Sequence, residues 1–281
     1  MSVFGLNGNQ LQTAYNIEES VSPFCFGLDN SYTAFVQNYY MGQDLSSSVV
    51  TLSLLGTVKY NQAMCIYNGH YFTTNGEYIA EQDENFQLIR DVPLHVGHGN
   101  GFQLGSNGLA YISGWDDQLI YVIDLDSLTI VDTIALPTTG YTTCVVDDVQ
   151  HIAYIMQRDT RPNTNSKHNY IVYDYGNEEI LFQRQTEVSF GAVQGMDWFG
   201  ENIIVLNGIG NAYNNLVNGI RIYDKLGNVL GEFVINQFGT EEPEGVCVDR
   251  NTHEIVISFR WTTVRAYKVN VDMNVLPFTA P

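Results

Sequence analysis

The sequence predicts an all-β chain folded as a β-propeller of four-stranded antiparallel blades. Three observations predict it. A five-residue phrase recurs at about 40–50 residues, the period of a strand-rich blade repeat. Each recurrence opens a run of short strands separated by turn residues. No window carries a helical period.

The phrase reads polar, then small, then apolar, then Cys, Gln or Asp, then apolar. It occurs as Ser22-Pro23-Phe24-Cys25-Phe26, Gln62-Ala63-Met64-Cys65-Ile66, Asn100-Gly101-Phe102-Gln103-Leu104, Tyr141-Thr142-Thr143-Cys144-Val145, Gln194-Gly195-Met196-Asp197-Trp198 and Glu244-Gly245-Val246-Cys247-Val248. Six openings give six blades; five would follow from merging two units.

The unit opened by Asn100 shows the plan. Asn100 to Leu104, Ala110 to Ser113, Leu119 to Asp124 and Thr129 to Leu136 read as its four strands. Ser106-Asn107-Gly108, Trp115-Asp116-Asp117 and Asp126-Ser127 read as the turns between them. Third strands end on Asp124, Asp174 and Asp224, where an Asp side chain can hydrogen-bond the turn that follows. The last unit offers only Gly245 to Asp249, Glu254 to Phe259 and Val264 to Val269. Leu11 to Ile17 is the expected fourth strand, closing the ring and removing an exposed edge. One domain therefore spans 1–281, with 1–18 as the closing segment and 270–281 as a tail.

The chain has 281 residues and ample length for a core. With 12 Lys+Arg against 31 Asp+Glu, the net charge is −19, which argues against nucleic acid and anionic membrane surfaces as partners. No apolar run is long enough for a membrane span, and the first residues lack a secretory signal. The four cysteines, Cys25, Cys65, Cys144 and Cys247, share one column of the repeat. Each then falls in a different blade, with packed sheets about 10 Å apart, beyond the ~7 Å Cα limit of a disulfide. They read as reduced, buried thiols.

Loops of a four-stranded meander alternate between two faces. One set is short here. The other includes Asn38 to Ser48, Gly114 to Gln118, Gln157 to Asn169, Asn207 to Asn218 and Arg260 to Thr263. It carries Tyr39, Tyr40, Trp115, Asp116, Asp117, Tyr213, Asn214, Arg260 and Trp261. Flat rings can cover the apolar face of a sugar while amides, carboxylates and guanidinium groups bond its hydroxyls, so these residues are candidates for glycan binding. The same face receives the starts of the opening strands, so His98, Asn100, Gln194 and Glu244 should meet at the channel mouth. Glu244 and Asn100 there could ligate Ca²⁺, or the cluster could poise an acid and a base. No nucleophile, zinc or phosphate-loop motif is present, and hydrolase activity is not expected.

His98-Gly99-Asn100-Gly101, Gln194-Gly195-Met196-Asp197 with Gly200-Glu201-Asn202-Ile203-Ile204-Val205, Gly219 to Asp224 with Gly227, and Glu242-Pro243-Glu244-Gly245-Val246 with Asp249 carry a resemblance. Over roughly 95–260 the chain resembles the propeller shared by teichoic-acid-biosynthesis-protein-C-like proteins and the receptor-binding proteins of staphylococcal phages. The resemblance implies a phage or prophage tail component, located in the virion after folding in host cytoplasm. It would contact a cell-surface glycan and other tail proteins, as a homo-oligomer or in several copies. The stem that such proteins carry is not evident in this sequence. The Pro-Glu-Gly phrase also resembles calcium-dependent lactonase-like propellers, which implies Glu244 as a metal ligand. A structural virion protein is the remaining alternative.

Overall fold

The computed structural model describes residues 50–158, 168–186, 192–208, 218–235, 241–260 and 263–270. The first strand, β1 (Thr51–Thr57), joins the last blade. Four complete blades follow in order. Blade I holds β2 (Ala63–Tyr67), β3 (His70–Thr74), β4 (Tyr78–Gln82) and β5 (Leu88–Pro93). Blade II holds β6 (Gly99–Leu104), β7 (Leu109–Gly114), β8 (Leu119–Asp124) and β9 (Thr129–Ala135). Blade III holds β10 (Tyr141–Asp147), β11 (Ile152–Arg158), β12 (Asn169–Asp174) and β13 (Glu179–Gln185). Blade IV holds β14 (Val193–Phe199), β15 (Asn202–Asn207), β16 (Asn218–Tyr223) and β17 (Val229–Ile235). Blade V is β18 (Glu242–Val248), β19 (Ile255–Arg260) and β20 (Val264–Asn270), completed by β1.

The described residues thus form five blades, the lower of the two counts open from sequence. The core explains why five suffice. It is divided into wedges, one at each joint between neighbouring blades. Cys65, Phe72, Phe102 and Ile112 fill the joint of I and II. Tyr111, Ile120, Cys144 and Ile155 fill that of II and III, and Tyr154, Met156, Met196 and Ile203 that of III and IV. Leu206, Ile220, Val246 and Ile257 join IV to V. Met64 and Ile66 then pack against Cys247, Val256 and Ala266, bringing V back to I and closing the ring. No interval remains there for a sixth blade. The opening expected at Ser22 to Phe26 lies outside the described residues.

Among the described residues the strand that completes the last blade is Thr51–Thr57; Leu11–Ile17, expected in that place, lies outside them. β1 pairs antiparallel with β20, from Thr51 opposite Asn270 to Thr57 opposite Arg265. The physical reason is the link that follows it. From the outer strand of one blade the chain steps to the inner strand of the next, as β5 leads to β6. The passage from β1 through Val58–Gln62 to β2 is that same step.

Burial follows position in the blade. The inner strand β2 is buried along almost its whole length, while the outer strands β9 and β13 are largely exposed. Middle strands are covered on both sides and read as continuous apolar runs, such as Ile203-Ile204-Val205-Leu206. The small residue in the repeat has a steric cause. A Cβ on Gly195 would stand 2.8 Å from the Val246 amide nitrogen of the next inner strand. The turn acids act as the sequence suggests: Asp124 Oδ1 accepts N–H bonds from Asp126 and Ser127, and Asp224 Oδ1 accepts them from Leu226 and Asn228.

Candidate functional site at the channel mouth

Asn100, Gln194 and Glu244 share a backbone device. In β6 the register jumps from Gly99 to Gly101, in β14 from Val193 to Gly195, and in β18 from Pro243 to Gly245. Each of the three is the extra residue of a β-bulge, which breaks the in–out alternation and re-aims a side chain. Because the bulges sit on inner strands, the re-aimed side chains gather at the channel. All three are nonetheless buried, Asn100 at 1 % exposure, Gln194 at 6 % and Glu244 at 5 %.

A circuit of hydrogen bonds links the blades around them. Asn61 Nδ2 of blade I donates to Glu244 Oε1 of blade V at 3.3 Å. Gln62 Nε2 lies 3.3 Å from His98 Nδ1, joining the approaches to blades I and II. Asn100 Nδ2 of blade II donates to the Val193 carbonyl of blade IV at 3.1 Å. Gln194 Nε2 donates to Glu242 Oε1 of blade V at 3.1 Å and to the Gly208 carbonyl. The exposed Arg260 stands 3.9 Å from Glu244 Oε1.

Two carboxyls, one buried and one half-buried, therefore stand close enough at the mouth for the charge of one to act on the other. Burial pushes Glu244 well above the usual carboxylate range, and the neighbouring charge of Glu242 adds to the shift; the Asn61 bond and Arg260 oppose it. Glu242 is also raised by burial, against Arg260 and Gln194. Nearby, burial pushes the His168 imidazole down to about 3, helped by the charges of Arg158 and Arg221, so it is neutral.

An aromatic ledge borders the mouth. Trp115, in the loop between β7 and β8, has its ring centroid 4.8 Å from that of His98 and 4.3 Å from that of Tyr141. Its backbone N–H donates to the His98 carbonyl, and its own carbonyl accepts from the Thr142 N–H. The ring is half-buried and fixed on both flanks.

The structure thus brings His98, Asn100, Gln194, Glu244, Arg260 and Trp115 to one end of the ring. Asp116 is exposed. Asp117 is a turn residue: its carboxylate accepts from the Leu119 N–H and, at 2.5 Å, from the Tyr121 hydroxyl. Tyr39, Tyr40, Tyr213, Asn214 and Trp261 lie outside the described residues. Sequence reasoning missed Glu242, Asn61 and Tyr141. Glu242 stands two residues before Glu244 in a phrase already singled out, which was the available signal.

The donor set suits Ca²⁺ poorly. Among the described residues no group of three or more His, Cys, Asp or Glu side chains is placed to hold a metal ion. The Arg260 guanidinium beside Glu244 would repel a dication.

The opposite end of the channel is spanned by Arg250. Its Nη2 donates to Asp197 Oδ1 at 2.8 Å and to the Leu104 carbonyl of blade II at 3.3 Å, and its Nη1 to the Trp198 carbonyl of blade IV at 3.4 Å.

No protein-family model and no curated protein matches the chain. Among solved structures it is similar to Myxococcus xanthus glutaminyl cyclase, at 12 % identity and a TM-score of 0.55, over 80 % of this chain and 97 % of that one. It also matches Kuenenia stuttgartiensis hydrazine synthase at 12 % identity and a TM-score of 0.44, over 74 % of this chain and 56 % of that one. This chain thus spans little more than half of the hydrazine synthase chain. What the chain shares with the glutaminyl cyclase is the propeller fold.

Proposed function

We propose that this propeller is a binding module that recognises a cell-surface glycan with its mouth face, as part of a phage or prophage attachment apparatus. The observation that carries the reading is the Trp115 ledge, flanked by His98 and Tyr141, beside the amides and carboxylates of Asn100, Gln194, Glu242 and Glu244. A held indole offers a flat apolar surface at little entropic cost. Planar amides and carboxylates next to it suit the hydroxyls of a sugar. Single contacts of this kind are weak, and display in several copies raises avidity by ~10²–10⁴ where geometry allows.

The test is binding of purified protein to host cell walls, before and after Trp115→Ala, with a melting curve for each variant. The expected result is binding that falls at least tenfold in Trp115→Ala while the fold survives. Trp115→Phe, which keeps a ring, should recover part of it. A protein that ignores every cell wall but holds other tail proteins through this face would be a structural virion part.

A second reading is acid–base catalysis at the same mouth, favoured by the burial of Glu244 and its raised pKa. It covers the lactonase-like alternative and the reaction named by the glutaminyl cyclase neighbour. Turnover of lactones, esters or N-terminal glutaminyl peptides that disappears in Glu244→Gln would establish it in place of pure binding.

A further inference from the structure

Among the described residues the mouth holds more acceptors than donors. Asn61 and Arg260 both engage Oε1 of Glu244, and Gln194 engages Oε1 of Glu242. The second carboxylate oxygen of each residue has no hydrogen bond from the described residues. Asn100 adds a third acceptor. Its Nδ2 is committed to the Val193 carbonyl, while its Oδ1, in a side chain 1 % exposed, has no donor. A buried carbonyl oxygen left without a donor is destabilising, so this oxygen marks a position a ligand can satisfy. Asn100 is carried by a bulge of the same kind as those that carry Gln194 and Glu244.

We propose that the mouth is a subsite for a primary ammonium group, so that the glycan recognised here carries a free amine. Three acceptors, two of them on carboxyls, match the three N–H donors of an ammonium. This rests on the glycan reading above and adds the chemical class of the group at its centre. A divalent metal fits less well, because Arg260 flanks Glu244 and the acids number two.

The experiment is calorimetric titration of the full chain with glucosamine, N-acetylglucosamine, glucose and methylamine. Glucosamine should bind at least tenfold more tightly than its acetylated form, since a charge-assisted hydrogen bond is stronger than a neutral one. Glu244→Gln should erase the preference. Glu242→Gln serves as the second variant if Glu244→Gln does not fold. Equal binding of the free and acetylated amines overturns the ammonium site and leaves glycan recognition standing. Glu244-dependent binding of glucosamine and methylamine, with no binding to any cell wall, keeps the site and removes the attachment reading. Ca²⁺ that raises the melting temperature through Glu244 and is not displaced by amines also overturns it.

Discussion

The Asp197 carboxylate of blade IV accepts the backbone N–H of Val248 in blade V at 2.7 Å through Oδ2, and Arg250 at 2.8 Å through Oδ1. A side chain thus stands in for a strand partner between two blades that share no backbone ladder. Asp197 is 2 % exposed, so removing it leaves the buried Val248 amide without its acceptor and the Arg250 guanidinium without its carboxylate. Asp197→Ala should destabilise the protein by about 3–5 kcal/mol. Asp197→Asn should cost less, because an amide oxygen can still accept from Val248. Denaturant melts of the two variants measure the difference, and equal losses would show that a neutral acceptor recovers nothing and that the carboxylate charge carries the whole effect.

Cys65, Cys144 and Cys247 are buried free thiols, one on each inner strand of blades I, III and V. Burial pushes the Cys144 thiol up to about 12, and it raises Cys65 and Cys247 as well. Thiolate is the reactive form, so all three should resist a thiol reagent at neutral pH and react at once in denaturant. Mass spectrometry of the unreduced protein should show no bridge among them. Cys25 lies outside the described residues.

Arg221 and Glu232 form an ion pair enclosed within blade IV, with both side chains at 0 % exposure. Burial nevertheless raises Glu232 to about 7, more than Arg221 lowers it. In the unfolded chain a Glu releases its proton near about 4.3. Between these values the folded state holds more protons. Stability from this group is therefore greatest at low pH and falls as pH rises to about 7, by about 4 kcal/mol in all. His168, lowered to about 3, acts in the opposite direction. The clean observable is thus the difference in stability between the parent and Glu232→Gln from pH 5 to 8. It should change with pH up to about 7 and then level off; a constant difference would contradict the assignment.

Gly195→Ala would bring a Cβ to 2.8 Å from the Val246 amide nitrogen, a backbone atom that cannot swing away. Overpacking of this kind costs about 1–3 kcal/mol. A melting temperature equal to the parent's would show that the joint of blades IV and V has slack.

Strand content was legible because each blade is local. The expected strands at Ala110 to Ser113, Leu119 to Asp124 and Thr129 to Leu136 meet the observed β7, β8 and β9 within a residue at either end. The gathering of Asn100, Gln194 and Glu244 was legible because position in a repeat fixes position in the ring. Ring closure was not legible. It depends on Thr51 meeting Asn270, a pairing that no short-range pattern encodes. The bulges were hidden for a related reason: Glu242 and Glu244 are two apart, and only the extra residue in the register shows how each side chain is aimed.

The seam between β1 and β20 has a consequence for the order of events in the cell. A ribosome delivers β1 about 200 residues ahead of its partner, at roughly 5–20 residues per second. For that interval β1, with Leu54 and Leu55 exposed on it, is an unpaired edge. Blades I to IV can form in turn as they emerge, but blade V is assembled only from both ends of the described chain. The ring is thus completed late and as one event, and the interval before it is when a chaperone or a second nascent copy competes for the open edge.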